Sequence, residues 1–263
     1  MSGLPPWVVG AATALVAGRA LQARPPGGAA RWERTNHRGA TVSLLSGPAL
    51  AVALALSADL PRAAAVVAAV GAGAVGAYDD AVGSRDAGAK GFRGHAAALR
   101  QGRLTGGSVK VLGIGAVGLV SARLATTRLA TTRLAGRQDL LVAGAVVAAS
   151  ANVLNLLDLR PGRALKVGAV AAAVLGQSGP AATALALLPA NLGERTMLGD
   201  AGANALGAVL GLALLRRAPA RPALAVLVAL TAVSEVKSYS SVIDVVPPLR
   251  WADRAGQLAV SRL

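Results

Sequence analysis

Long stretches of this chain are apolar with no polar stripe. The run AAAVVAAVGAGAVGA, residues 63–77, is typical of it. A soluble amphipathic helix would show polar positions recurring every 3.6 residues, and these blocks do not. About 20 apolar residues cross the hydrocarbon layer as a helix, so repeated blocks near that length predict a polytopic membrane protein. The pattern predicts an all-α transmembrane helix bundle of about nine spans. They fall near residues 5–22, 41–58, 61–78, 107–123, 139–157, 164–178, 180–192, 201–215 and 222–236. The whole of 1–263 then reads as one integral membrane domain, with a cytoplasmic loop at 79–106 and an amphiphilic tail at 237–263 that contains Trp251 and lies at the cytoplasmic interface.

Composition agrees with that pattern. The chain is 54% hydrophobic and 15% charged, where roughly 25% charged is usual for a soluble domain. With no cysteine, disulfide and thiolate chemistry drop out. The N-terminal stretch MSGLPPWVVG lacks the basic region of a cleaved signal peptide, so it is expected to be a retained first helix. A net charge of +15 raises the question of nucleic acid, but the arginines sit in short loops between apolar blocks, as membrane-flanking charges do. No nucleic-acid partner is expected.

Alternating the spans gathers most Lys and Arg on the side holding loops 23–40, 79–106, 158–163, 193–200 and the tail. The positive-inside rule makes that side cytoplasmic and puts the N-terminus outside. Loop 124–138, with the tandem repeat ATTRLATTRLA, and RRAPAR at 216–221 are exceptions. The acids segregate more sharply. Of 12 Asp and Glu, all but Asp59 and Asp139 fall on the cytoplasmic side.

Three polar motifs end or begin apolar blocks on that side. In GAYDDAVGSRD, Asp79 and Asp80 are adjacent carboxylates that repel one another, so one of them should take a cation or a proton. Magnesium, a hard ion preferring oxygen ligands, would suit them; a solvated helix end with incidental acids is the plain alternative. In ANVLNLLDLRPGR, residues 151–163, Asn152, Asn155 and Asp158 fall at i, i+3 and i+6 on one helical face. Facing lipid would be costly, so this face should look into the bundle or a hydrated cleft, or form interhelical hydrogen bonds. In MLGDAGANALG, residues 197–207, Asp200 stands between glycines at a helix start, where free N–H groups favour anions and an Asp also serves as a cap. Lys90, Arg93 and Arg163 are weaker candidates for phosphate contacts, each with a boundary-cation reading beside it.

The order GAYDD, NVLNLLD, MLGDAGANALG resembles the polyprenyl-phosphate N-acetylhexosamine-1-phosphate transferases. That superfamily includes phospho-N-acetylmuramoyl-pentapeptide transferase and the UDP-N-acetylglucosamine:undecaprenyl-phosphate phosphotransferases. The resemblance runs from the NHRG loop to roughly Gly207. It implies a plasma-membrane enzyme with a cytoplasmic active site that transfers a sugar-1-phosphate from a UDP-sugar to a polyprenyl phosphate. Such an enzyme releases UMP, requires Mg²⁺ and serves cell-envelope glycan synthesis. Asp79 and Asp80 match the paired aspartates implicated in binding or deprotonating the lipid phosphate. Asn152, Asn155 and Asp158 match the segment near the nucleotide. Asp200 matches a magnesium ligand, with Asp80 as its companion in the metal set. A second copy of the chain is kept as a further candidate partner.

The chain departs from the family in several places. Leu159 follows Asp158 and Pro161 stands where a further Asp belongs. Ala203 replaces the usual Ser, and the family's C-terminal histidine-rich loop has no counterpart. These departures bear on the donor sugar more than on the magnesium site. They keep two other expectations in view, a non-catalytic membrane scaffold of the same family and a small transporter with Asp and Asn along its pathway.

Overall fold

The computed structural model describes residues 3–36, 38–82, 106–126 and 137–257. Ala and Leu in these blocks favour helix, Val and Gly less so, and tertiary packing of the apolar segments supplies most of the helical stability. Each of the nine apolar segments contains a helix: α1 (Pro6–Ala23), α2 (Ser46–Ser57), α3 (residues 62–82), α4 (Gly106–Thr126), α5 (Arg137–Leu157), α6 (Arg163–Val174), α7 (Ser178–Leu192), α8 (Gly199–Leu215) and α9 (Ala220–Val236). A π-helical turn at Val67–Gly71 interrupts α3. Among the described residues the protein is all-α apart from one small hairpin.

Length divides these helices. Among the described residues, three are long and apolar enough to cross a membrane: Arg62–Ala81, Gly106–Thr126 and Gln138–Leu157. A fourth is added if α9 and the helix after it, bent by 88°, count as one broken span. At 1.5 Å per residue, the 12 residues of α2 reach only about 18 Å, short of a hydrocarbon layer of about 30 Å. Apolarity is therefore a looser guide to crossing than to helix formation.

The helix α8 is the centre of the bundle. Every residue from Ala201 to Ala213 is buried, as expected of a helix apolar all round. α5, α3 and α2 surround it, brought close by small residues. A side chain at Gly207 would overlap the backbone of Ser150 and Ala151, and one at Gly47 the Leu198 carbonyl. Without a hydrophobic drive between helices in lipid, such close backbone packing is a main source of association.

A loop expected at 23–40, the first residues of the span expected at 41–58 and the expected tail take other forms. Residues 24–45 contain an antiparallel hairpin, β1 (Glu33–Thr35) and β2 (Thr41–Ser43), in register Glu33↔Ser43 and Thr35↔Thr41. Its turn is held by Asn36, whose Oδ1 accepts the N–H groups of Arg38 and Ala40, each at 2.9 Å. Ser43 then bridges in parallel to Thr196, tying the hairpin to the segment just before α8. After the bend, the tail forms α10 (Tyr239–Val245) and α11 (Pro247–Arg254).

Arg163, at the start of α6, anchors that tail. It is 4% exposed, donates to Asp253 through Nε (2.7 Å) and Nη2 (3.1 Å), and reaches Ser240 at 3.1 Å. Lys166 donates to the carbonyls of Ala252, Asp253 and Ala255 at the end of α11, where a cation complements the helix dipole. Burial works to raise the Asp253 carboxyl, but Arg163, with Lys166 and Arg160, outweighs it and holds the group below the usual carboxylate range. A depressed native value means the contact is intact at neutral pH and lost only as pH falls through it. Arg163→Ala is expected to release residues 239–257 to limited proteolysis at pH 7 while the parent stays protected. Equal cleavage of the two would contradict the anchoring role.

Candidate functional site

The site is built where α3 meets the start of α8. A Cβ on Gly76 would overlap the carbonyl group of Asp200, so the two backbones touch at that point. One turn later on α3, Asp80 accepts the N–H groups of Asp200 (3.1 Å) and Ala201 (3.0 Å). These are among the orphan donors of a helix N-terminus, and here a neighbouring helix caps them. Gly199 makes this possible twice over. It adopts φ +60°, and a side chain there would press on the Asp80 carboxylate at 2.9 Å.

Lys110 completes the cluster from α4. Its ammonium binds Asp200 Oδ2 and lies 3.3 Å from Asp79 Oδ2, so one cation joins carboxylates from two helices. Arg34 of β1 donates to the Asp80 carbonyl oxygen, which brings the hairpin to the same place.

Asp158 follows the last turn of α5. It is 8% exposed, and its Oδ2 has no hydrogen-bond partner among the described residues. Burial pushes this carboxyl well above the ordinary range. The Gly199 N–H opposes the shift, and the negative charges of Asp200 and Asp80 add to it. Such coupling places all three acids in one electrostatic neighbourhood. A folded value above the unfolded one means the native chain binds more protons between the two, so stability falls as pH rises through that window. Asp158→Asn is expected to remove this fall. Its thermal midpoint should exceed the parent's at pH 8 and approach it near pH 4; a constant difference at both would count against the buried-acid account.

The two amides of the second motif part ways. Asn152 donates to Thr231 of α9 at 3.2 Å, while Asn155 is half-buried and its carbonyl accepts the Asp158 N–H at 3.1 Å. Asn152, Lys110, Ile114, Asn204 and Thr231 help line a cleft of about 400 Å³ between α4, α5, α8 and α9. Its remaining walls, among them Val111, Ala148 and Val228, are apolar. Asn204 is buried and its Nδ2 lacks a partner among the described residues.

The structure thus brings Asp79, Asp80, Asp158 and Asp200 together, with Asn152 lining the cleft that Lys110 also lines. Arg163 is not with them, because its guanidinium is engaged by Asp253 and Ser240. Lys90 and Arg93, and most of the 79–106 loop and the ATTRL repeat, lie outside the described residues. Sequence reasoning missed Lys110, Arg34 and Asn204 as members of the site. Lys110 had a signal of its own, a charge inside an otherwise apolar block. Asn204 had another, one helical turn after Asp200.

The donors in the cluster are carboxylate oxygens. Two carboxylates already share one positive charge, and a third nearby has an unsatisfied buried oxygen, which is oxygen-ligand chemistry of the kind Mg²⁺ favours. Among the described residues, no group of three or more His, Asp or Glu is arranged to hold a metal ion; the ammonium of Lys110 stands at the point between Asp79 and Asp200. No protein family, curated protein or solved structure matches this chain.

Proposed function

We propose that the protein is a multi-pass membrane phosphotransferase that moves a sugar-1-phosphate from a UDP-sugar to a polyprenyl phosphate, with release of UMP. The convergence of Asp79, Asp80, Asp158 and Asp200 from three separate chain segments around Lys110 carries this reading. Large apolar side chains on the exterior, such as Val16 at 68%, Leu112 at 59% and Val170 at 65% exposure, support a lipid-facing surface. The cluster is assigned to the cytoplasmic side by its flanking cations.

In the reaction a lipid phosphate oxygen attacks the β-phosphorus of the UDP-sugar. The bond to the bridging oxygen breaks, and UMP leaves with that electron pair. Positioning and charge stabilisation supply most of the catalysis in such transfers. Asp200 would hold Mg²⁺, with Asp79 in place of the Asp80 expected from sequence, because Asp80 is taken up by backbone N–H groups. Once Lys110 turns away from Asp79 and Asp200, the bound ion would neutralise diphosphate charge. Asp80, with both oxygens on backbone N–H groups, fixes the start of α8 and so the direction of Asp200. Lys110 offers a cation to the phosphoryl oxygens, and the mostly apolar cleft beside it suits the first isoprene units of the acceptor.

A scaffold reading draws on one observation: Lys110 already bridges two of the acids without any ligand. The deciding experiment incubates purified protein with Mg²⁺, undecaprenyl phosphate and a panel of UDP-sugars. UMP release with at least one donor is the expected result. Silence across the panel would favour the scaffold, and solute flux without UMP would favour a transporter.

A further inference from the structure

A second cleft, of about 490 Å³, lies between α1, α7 and the hairpin. Its inner wall is apolar, formed by Ala14, Leu15, Gly18, Ala186 and Leu187, and its mouth carries Arg19, Gln22, Glu33, Arg195 and Thr196. Among the described residues, neither the Arg19 nor the Arg195 guanidinium has a hydrogen-bond or ion-pair partner. Glu194, next in sequence to Arg195, is already held by Arg38 at 2.8 Å and Asn36 at 2.7 Å. Glu33 opposes the two arginines at the rim, leaving a net positive mouth.

Leu15 of the wall is itself exposed, as are its chain neighbour Val16 on α1 and Leu185 next to Ala186 on α7. An occupant must therefore be amphiphilic: an anion at the mouth with hydrocarbon running along the groove. Basic pockets between helices on the cytoplasmic side suit phospholipid headgroups, and guanidinium matches phosphate geometry by its planar fork.

We infer that this cleft binds the headgroup of an anionic membrane phospholipid, with Arg19 and Arg195 as its phosphate ligands. The inference rests on the membrane reading above but not on catalysis. The site is separate from the Lys110 cluster, although Arg195 lies five residues before Asp200 and its carbonyl accepts the Ser43 N–H at 3.1 Å. A lipid here braces the strand segment that leads into α8.

Delipidated full-length protein in detergent is titrated with phosphatidylglycerol, phosphatidylcholine of the same chains, inorganic phosphate and undecaprenyl phosphate, and read by native mass spectrometry. Phosphatidylglycerol is expected to bind most tightly. Each arginine near a membrane surface contributes about fivefold, so R19Q/R195Q should weaken it about thirtyfold. The charge-preserving R19K/R195K should bind more weakly than the parent but better than R19Q/R195Q, because an ammonium keeps the charge and loses the planar fork. Asp200→Asn should leave binding unchanged. Unaltered phosphatidylglycerol affinity in R19Q/R195Q overturns the site, as does equal affinity for inorganic phosphate or a preference for undecaprenyl phosphate. Phosphatidylglycerol binding that depends on both arginines, without any UMP release, would remove the enzyme reading and leave this site standing.

Discussion

Asp200→Asn is expected to reduce UMP release by about a hundredfold to a thousandfold while the helices stay folded. The change is nearly isosteric and leaves the main-chain N–H groups that Asp80 accepts, so the start of α8 keeps its cap. What disappears is one negative charge beside Lys110. Preorganised charge at a phosphoryl centre is worth about that range when a single group is removed. Circular dichroism checks that the fold persists, and initial rates of UMP release measure the loss. Turnover equal to the parent's would show that Asp200 has no part in the chemistry.

Gly76→Ala is expected to act by a different route and nearly as strongly. The added methyl would overlap the Asp200 carbonyl, and its neighbours there are backbone atoms with no rotamer to change. α3 would have to move away from α8, and overpacking of this kind costs about 1–3 kcal/mol. The same movement draws Asp80 away from the Asp200 and Ala201 N–H groups, leaving polar groups unsatisfied at a further cost of about 1–3 kcal/mol. Both thermal stability in detergent and UMP release should fall. Gly115→Ala is the control, since nothing stands within 4 Å of the Cβ it would add; loss of stability in the control alone would contradict the packing argument.

The sequence pattern located the helices well because an uninterrupted apolar block has few other ways to satisfy its backbone away from water. It located the acids for a related reason: Asp79, Asp80, Asp158 and Asp200 stand out against apolar surroundings and end or begin their blocks. Pairings between segments were not legible. Lys110 stands out in sequence as a charge inside an apolar block, but only the approach of α4 to α3 and α8 sets it between Asp79 and Asp200. Arg163 shows the converse. Its place just after Asp158 suggests a phosphate contact, whereas Asp253, 90 residues later, engages its guanidinium. The hairpin escaped notice because two strands of three residues each are too short for a period of two to show.

A double-mutant cycle on Lys110→Met and Asp200→Asn, read as unfolding free energy, tests most directly whether these side chains share one site. Contact across the cluster predicts a coupling of about 1–3 kcal/mol between the two changes. Effects that simply add, to within about 0.5 kcal/mol, would mean that Lys110 and Asp200 do not meet, and the acidic cluster would lose its centre.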